Sequence, residues 1–226
     1  MNPKLAKAIR IIALIFLGLT AMMNLLGGAG TVCAAFLTEK FESMAALLDY
    51  NWLYQILMIA TIATGVANIW ALVQLAKRRP KSYQRAVIIL VIGTVLGAIQ
   101  VFASLQLRGK AVPANMKLYI NLLTLVLFLV FGAPGLRQKV GWDKNPDSDE
   151  GAIAGGTAAI LAGILALTVF FWAGPSHTYM GTNWVYQFES LLVSSGVFLL
   201  IGGISLIGKA IAQHLQVRKE ETRKAS

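Results

Sequence analysis

The chain has 226 residues, 57% of them hydrophobic and 13% charged, with a mean hydropathy of +0.66 and a formal net charge of +10. Soluble domains carry about 25% charged residues, so this composition excludes an ordinary soluble fold. The apolar residues come in blocks of about 18 or more, the length at which a helix crosses ~30 Å of hydrocarbon. The short alternating segments of a membrane barrel are not visible.

We therefore expect an all-α, polytopic helical membrane protein, a single integral membrane domain with six transmembrane helices. The spans fall at about 11–36, 52–75, 86–107, 116–133, 152–172 and 184–211. Residues 1–10 form a basic leader with Lys4, Lys7 and Arg10, and 212–226 a basic tail. A leader followed by an apolar run also fits a cleaved secretory signal. Against that reading, the run is longer than a signal needs, and Val32 directly before Cys33 makes a poor lipoprotein cleavage site. With one cysteine, no intrachain disulfide forms.

In the first loop, 38–50, Phe41, Met44, Ala45 and Leu48 recur at helical spacing opposite Glu39, Lys40, Glu42 and Ser43. This predicts a short amphipathic outer helix on the membrane surface. The second span stops at a basic cluster over 77–85, made of Lys77, Arg78, Arg79, Lys81 and Arg85 around Pro80. Its charges suit anionic lipid or a cytoplasmic protein partner. Residues 107–117 are expected to be a loop, as are 135–150, where Asp143, Asn145, Pro146, Asp147 and Asp149 carry turn chemistry.

With six spans, the leader, 77–85, 136–150 and the tail share one side and hold 16 of the 20 Lys and Arg; the other loops hold 4. Cations resist translocation, so the first side is expected to be cytoplasmic in a cell membrane, with both termini inside. The net positive charge then reports orientation, and nucleic acid is not an expected partner.

Asn51-Trp52-Leu53-Tyr54-Gln55 is echoed by Asn183-Trp184-Val185-Tyr186-Gln187, each where a polar loop runs into an apolar block. Trp52, Tyr54, Trp184 and Tyr186 read as interfacial anchors, the rings sitting at headgroup level. Asn115-Met116-Lys117-Leu118-Tyr119 is a weaker echo, so the spans can be read as three parallel helical hairpin repeats. An Asn cap and interfacial aromatics suit any incoming helix without common descent, although Gln55 and Gln187 at one offset are not explained that way.

Small residues recur every fourth position at Gly151, Gly155, Ala159 and Gly163, with Gly156 beside them, at Gly93 and Gly97, and at Ala63, Ala67 and Ala71. Such faces allow close backbone approach, within the chain or against a partner subunit or second copy. Polar residues inside the spans include Asn24, Gln55, Thr61, Thr64, Asn68, Gln74, Thr94, Gln100, Asn121, Thr124, Ser194 and Ser195. In hydrocarbon they need one another, as structural hydrogen bonds or as a ligand site. Asn24, Asn68 and Gln100, with Gln55 and Gln187, are the candidate ligand-binding residues.

Glu189 is the one ionisable group expected within a span, near the outer headgroups. His177 and His214 fall on opposite sides and cannot clamp one haem. No metal-ligand cluster, phosphate loop or zinc-protease motif is present, and Ser194 and Ser195 have no His or Lys beside them in sequence to activate a nucleophile. We expect no cofactor, no metal and no catalytic residue. The leading expectation is a non-catalytic integral membrane subunit of a larger membrane assembly, held by the small-residue faces. The alternative is a carrier or solute-binding component for a neutral or weakly polar solute between the hairpins. Third comes an intramembrane or interfacial enzyme, its interfacial form using His177, Tyr179 and Glu189 around the outer loop 174–183. In size and span number alone the chain resembles the substrate-capturing membrane subunits of energy-coupling-factor vitamin importers. No motif carries that resemblance, and no residue role follows from it.

The orientation is directly testable. In a Cys33→Ser background, Arg79→Cys should stay unlabelled by a membrane-impermeant maleimide in intact cells, while Lys110→Cys should react; the reverse pattern would invert the assignment.

Overall fold

In hydrocarbon a backbone amide finds no solvent partner, so long apolar segments fold as helices that close their own hydrogen bonds. The computed structural model describes residues 1–40, 42–142, 149–179 and 181–225. Six of its helices are long and apolar enough to cross a membrane. By helix length and hydropathy the chain is a multi-pass membrane protein, all-α apart from a two-residue hairpin pairing Thr178 with Asn183 and Tyr179 with Thr182.

The spanning helices are α1 (Pro3–Gly30), α3 (Asn51–Ala76), α4 (Ser82–Arg108), α5 (Ala114–Phe131), α7 (Glu150–Trp172) and α8 (Glu189–Ala225). Short α2 (Val32–Phe36) extends α1 beyond Thr31, and α6 (Pro134–Val140) follows α5. Helix ends carry the expected chemistry. Asn2 accepts a hydrogen bond from the Lys4 amide at 2.9 Å with Pro3 in the first turn, and Gly109 ends α4 at φ 64°.

Consecutive spans pack as hairpins, α1 on α3, α4 on α5 and α7 on α8. Contacts of α3 with α4 and of α1 with α5 close the first four spans into a ring around one interior. α7 joins through α1, and α8 lies outermost, packed chiefly on α7.

Close approaches hold these pairs. A Cβ on Gly28 would come 2.5 Å from Ile62, and one on Gly65 2.8 Å from Leu25. Gly156 and Gly203 face each other so closely that a Cβ on either meets the other's carbonyl oxygen at 2.6–2.7 Å, and Gly163 meets the Gly196 carbonyl at 2.8 Å. The expected α7 stripe is therefore displaced. Gly155 has open space around it, Gly151 only brushes Ala76, and Ala159 is half-buried. Ala154, Ala158, Ala162 and Ala166 are the fourfold row that is buried, with Ala158 against Gly18 of α1. A helix sandwiched between two neighbours needs two close faces, so one sequence period could not choose between them.

Four segments differ from expectation. Residues 38–40 and 42–50 form 3₁₀ turns, so Met44 and Leu47 are buried against Cys33, Ala34, Ala35 and Tyr54, while Leu48 is exposed. Three residues per turn, not 3.6, moves the buried row from 44/48 to 44/47. α8 runs on to Ala225, so the basic tail continues the last span as helix. The lower part of the 107–117 loop is the first turn of α5. Within the expected loop 135–150, α6 occupies the first part, and 143–148 lie outside the described residues.

At one end of the bundle the leader, the α3–α4 turn, α6 and the start of α7 converge. Glu150, buried, bonds Arg10 (Nε to Oε2, 2.9 Å) and the Arg78 guanidinium, and Arg10 also donates to the Val140 carbonyl. Arg78 has φ 48°, a left-handed backbone that a non-glycine residue adopts at a cost of about 1 kcal/mol; its bond to Glu150 offsets that cost. Lys7 pairs with Asp149 at 2.9 Å and holds that carboxyl below its usual range. This pair's contribution is present above the ordinary carboxylate pKa of about 3.9 and is lost as pH falls through the lowered value. Beside the network, Tyr83, Phe128 and Trp142 stack with centroids 5.6–6.2 Å apart, over an apolar plug that includes Leu14, Leu17 and Leu90.

The α7–α8 contact yields a clean comparison. Gly203→Leu should destabilise the folded chain by about 1–3 kcal/mol in a detergent unfolding series. Gly202→Leu, where a side chain meets nothing within 4 Å, should leave it unchanged.

Candidate functional site

The ring of α1, α3, α4 and α5 encloses a file of polar side chains. Nearest the end away from the ion-pair network, Gln100 donates to Thr31 Oγ1 at 3.1 Å. Lys117 then donates to Thr61 Oγ1 at 3.0 Å and to the Gln100 side-chain oxygen. Next, Asn24 and Asn121 exchange amide hydrogen bonds at 2.8 and 3.2 Å, and Asn121 also donates to the Lys117 carbonyl at 2.7 Å. Thr20 and Thr124 pair at 2.7 Å one turn further on.

Asn68 belongs to the same interior. Gly28 lies against Ile62 and Gly65 against Leu25, so α1 and α3 run antiparallel and Asn68 comes level with the stretch between Thr20 and Asn24. It is 0% exposed, and neither its Nδ2 nor its Oδ1 has a hydrogen-bond partner among the described residues. Two glycines make room for the file. A Cβ on Gly93 would strike Asn121 Oδ1, and one on Gly27 would press on the Lys117 stem at 3.1 Å. Gly97 similarly admits the Leu118 backbone.

Lys117 corrects the expectation that Glu189 is the ionisable group within the spans. Glu189 is exposed, whereas Lys117 is 3% exposed. It was assigned to a loop because it stands only one turn inside α5, but α5 is short and starts recessed. Its partner Thr61 lies about 15 Å along α3 from Asn51. Both of its side-chain hydrogen bonds go to neutral oxygens.

Of the five candidate ligand residues, Asn24 and Gln100 are hydrogen-bonded members of the file, and Asn68 is buried on α3 without a hydrogen-bond partner among the described residues. Gln55 instead donates to the Ala35 carbonyl at 3.2 Å, and Gln187 is exposed. Thr61, Thr64, Asn121 and Thr124 join the file; Thr94 is half-buried and bonds its own helix, and Ser194 lies on exposed α8. Thr20, Thr31 and Lys117 are the members that hydropathy did not reveal. Thr20 and Thr31 had a readable signal, a hydroxyl in an apolar run four residues from a carbonyl it bonds.

The anchor residues divide. Trp52 and Tyr186 are exposed, and Trp184 is half-buried. Tyr54 is buried, its hydroxyl shared with Ser104 at 3.0 Å. The two motif copies also begin differently. Asn183 caps its 3₁₀ turn by accepting from the Val185 amide at 3.0 Å, whereas Asn51 accepts from Thr38. In the 77–85 cluster, Arg78 is committed to Glu150 and Arg85 lies over the Trp70 ring at 5.4 Å, leaving Lys77, Arg79 and Lys81 exposed. His177 places Nδ1 2.9 Å from the Ala173 carbonyl; the Tyr179 side chain lies outside the described residues.

No family model, curated protein or solved structure matches the chain.

The amide pair joins helices that are not neighbours in sequence. A double-mutant cycle of Asn24→Ala and Asn121→Ala should give a coupling of about 0.6–1.7 kcal/mol in membrane-mimetic unfolding; strict additivity would show that the two side chains act independently.

Proposed function

We propose that the protein is a solute-binding or carrier component of a membrane, with its site in the polar file enclosed by α1, α3, α4 and α5. The supporting observation is Asn68. A buried amide with no partner costs about 1–3 kcal/mol relative to a satisfied one, and in hydrocarbon polar side chains that serve packing alone pair with one another. Asn24, Asn121, Thr20 and Thr124 do so; Asn68 does not. A polar solute lying along the file would satisfy it.

With the cation-rich end cytoplasmic and both termini inside, the file lies toward the outer face. The apolar plug and the Arg10–Glu150–Arg78 network then close the cytoplasmic end. The hairpin packing supports reading the chain as three tandem helical hairpins, an organisation common among carriers.

A second reading, a non-catalytic subunit of a larger membrane assembly, draws on α8. That helix packs chiefly on α7, and Phe198 and Ile201 are 78% and 61% exposed. The expected docking residues Gly93, Gly97 and Gly163, however, are engaged within the chain.

Asn68→Leu tests the first reading. It should raise stability by about 1 kcal/mol, because it removes unsatisfied polar atoms, and should abolish thermal stabilisation by any small polar solute that protects the wild-type chain. Undiminished solute protection in the variant would refute the assignment. A native mass in mild detergent showing an obligate partner would favour the second reading.

A further inference from the structure

We infer that the ligand of the file is a small monovalent anion, a carboxylate or a halide, held by Lys117. This rests on the reading of the file as a solute site and names its chemical class. The sequence expectation of a neutral solute assumed that no charge lies inside the spans, and Lys117 removes that assumption.

Two features point to an anion. The Lys117 ammonium has three N–H donors, and its two hydrogen bonds engage Thr61 and Gln100, leaving one N–H over. Among the described residues no carboxylate bonds it. Its position one turn into α5 also sets a cation near the positive end of that helix dipole, where an anion is favoured.

The second feature is the balance of donors. The Asn24 amide nitrogen makes one hydrogen bond and retains one N–H, and the Asn68 amide retains two. Spare donors thus lie on Lys117 and Asn24, whereas Asn68 stands about two turns of α1 from the ammonium and its Oδ1 is unpartnered too, so the anion assignment rests on Lys117.

The test uses the full chain in nanodiscs of phosphatidylcholine, at constant ionic strength balanced with sodium sulfate, whose anion is divalent. Tm is read against sodium acetate, sodium chloride and acetamide, the last being the neutral counterpart of acetate. Saturable stabilisation by acetate or chloride is expected, and which of the two acts separates a carboxylate site from a halide site. Lys117→Met should fold at least as well as wild type and weaken the apparent affinity at least tenfold, while Lys117→Arg should keep part of it. If Lys117→Met fails to fold, Lys117→Gln, which keeps a polar side chain without the charge, provides the same reading of anion affinity.

The inference is overturned if neither anion stabilises the wild-type chain, or if Lys117→Met responds as wild type does. Stabilisation by acetamide but by neither anion would overturn the anion assignment while leaving the solute site standing.

Discussion

Lipid gives a polar side chain nothing to bond, and that constraint sorts this molecule. Polar groups on four helices turn inward and find one another, and the pairs they form are what close the ring. Asn24 with Asn121, and Thr20 with Thr124, tie α1 to α5, two helices from different hairpins. Apolar contact alone would not choose this arrangement, because lipid tails are as apolar as leucine and provide no hydrophobic drive between helices. The glycines serve the same end. Gly65 and Gly28 bring α3 and α1 to backbone distance, and Gly93 admits the Asn121 amide.

The two halves of the ring are built from different physics. The half near Thr31 and Gln100 is hydrogen-bonded and contains Lys117. The other is a packed plug of Leu14, Leu17, Leu90 and Phe128 under stacked rings, closed by two arginines sharing one glutamate. Buried ion pairs contribute little net stability but fix geometry, since removing one partner costs about 3–5 kcal/mol. Here the geometry fixed is the junction of α1, α3 and α7, and it holds Arg78 in a backbone conformation that arginine does not favour.

Span number and most of the polar interior were legible because both follow from hydropathy, which needs no tertiary information. Asn24, Asn68 and Gln100 stand out as amides in apolar runs, and all three are buried. Gln55 has the same signature yet bonds a neighbouring carbonyl, because a residue near a helix end has local partners to hand. What sequence could not give is where a helix starts relative to its neighbours. Lys117 looks like a loop residue until α5 proves short and recessed, and Glu150 like a loop residue until Arg10 and Arg78 close on it. Offsets between helices are set by packing, and the 3₁₀ winding of 42–50 is likewise imposed by its contacts with α2 and Tyr54. The small-residue stripe of α7 was visible, but its direction depends on which side α1 and α8 occupy.

Lys117 is the member of the interior that packing explains least. Enclosing an ammonium ion costs several kcal/mol even after relaxation, while a hydrogen bond to a neutral group returns about 0.5–1.5 kcal/mol. Two such bonds, to Thr61 and Gln100, leave a deficit that the dipole of α5 enlarges. Methionine would occupy similar volume with no polar group to satisfy and would cost less. The structural amides behave otherwise, each repaying its burial with a reciprocal partner. Lys117 destabilises the fold that surrounds it, and about two turns along the same interior Asn68 has no hydrogen-bond partner among the described residues, so neither group is accounted for by packing.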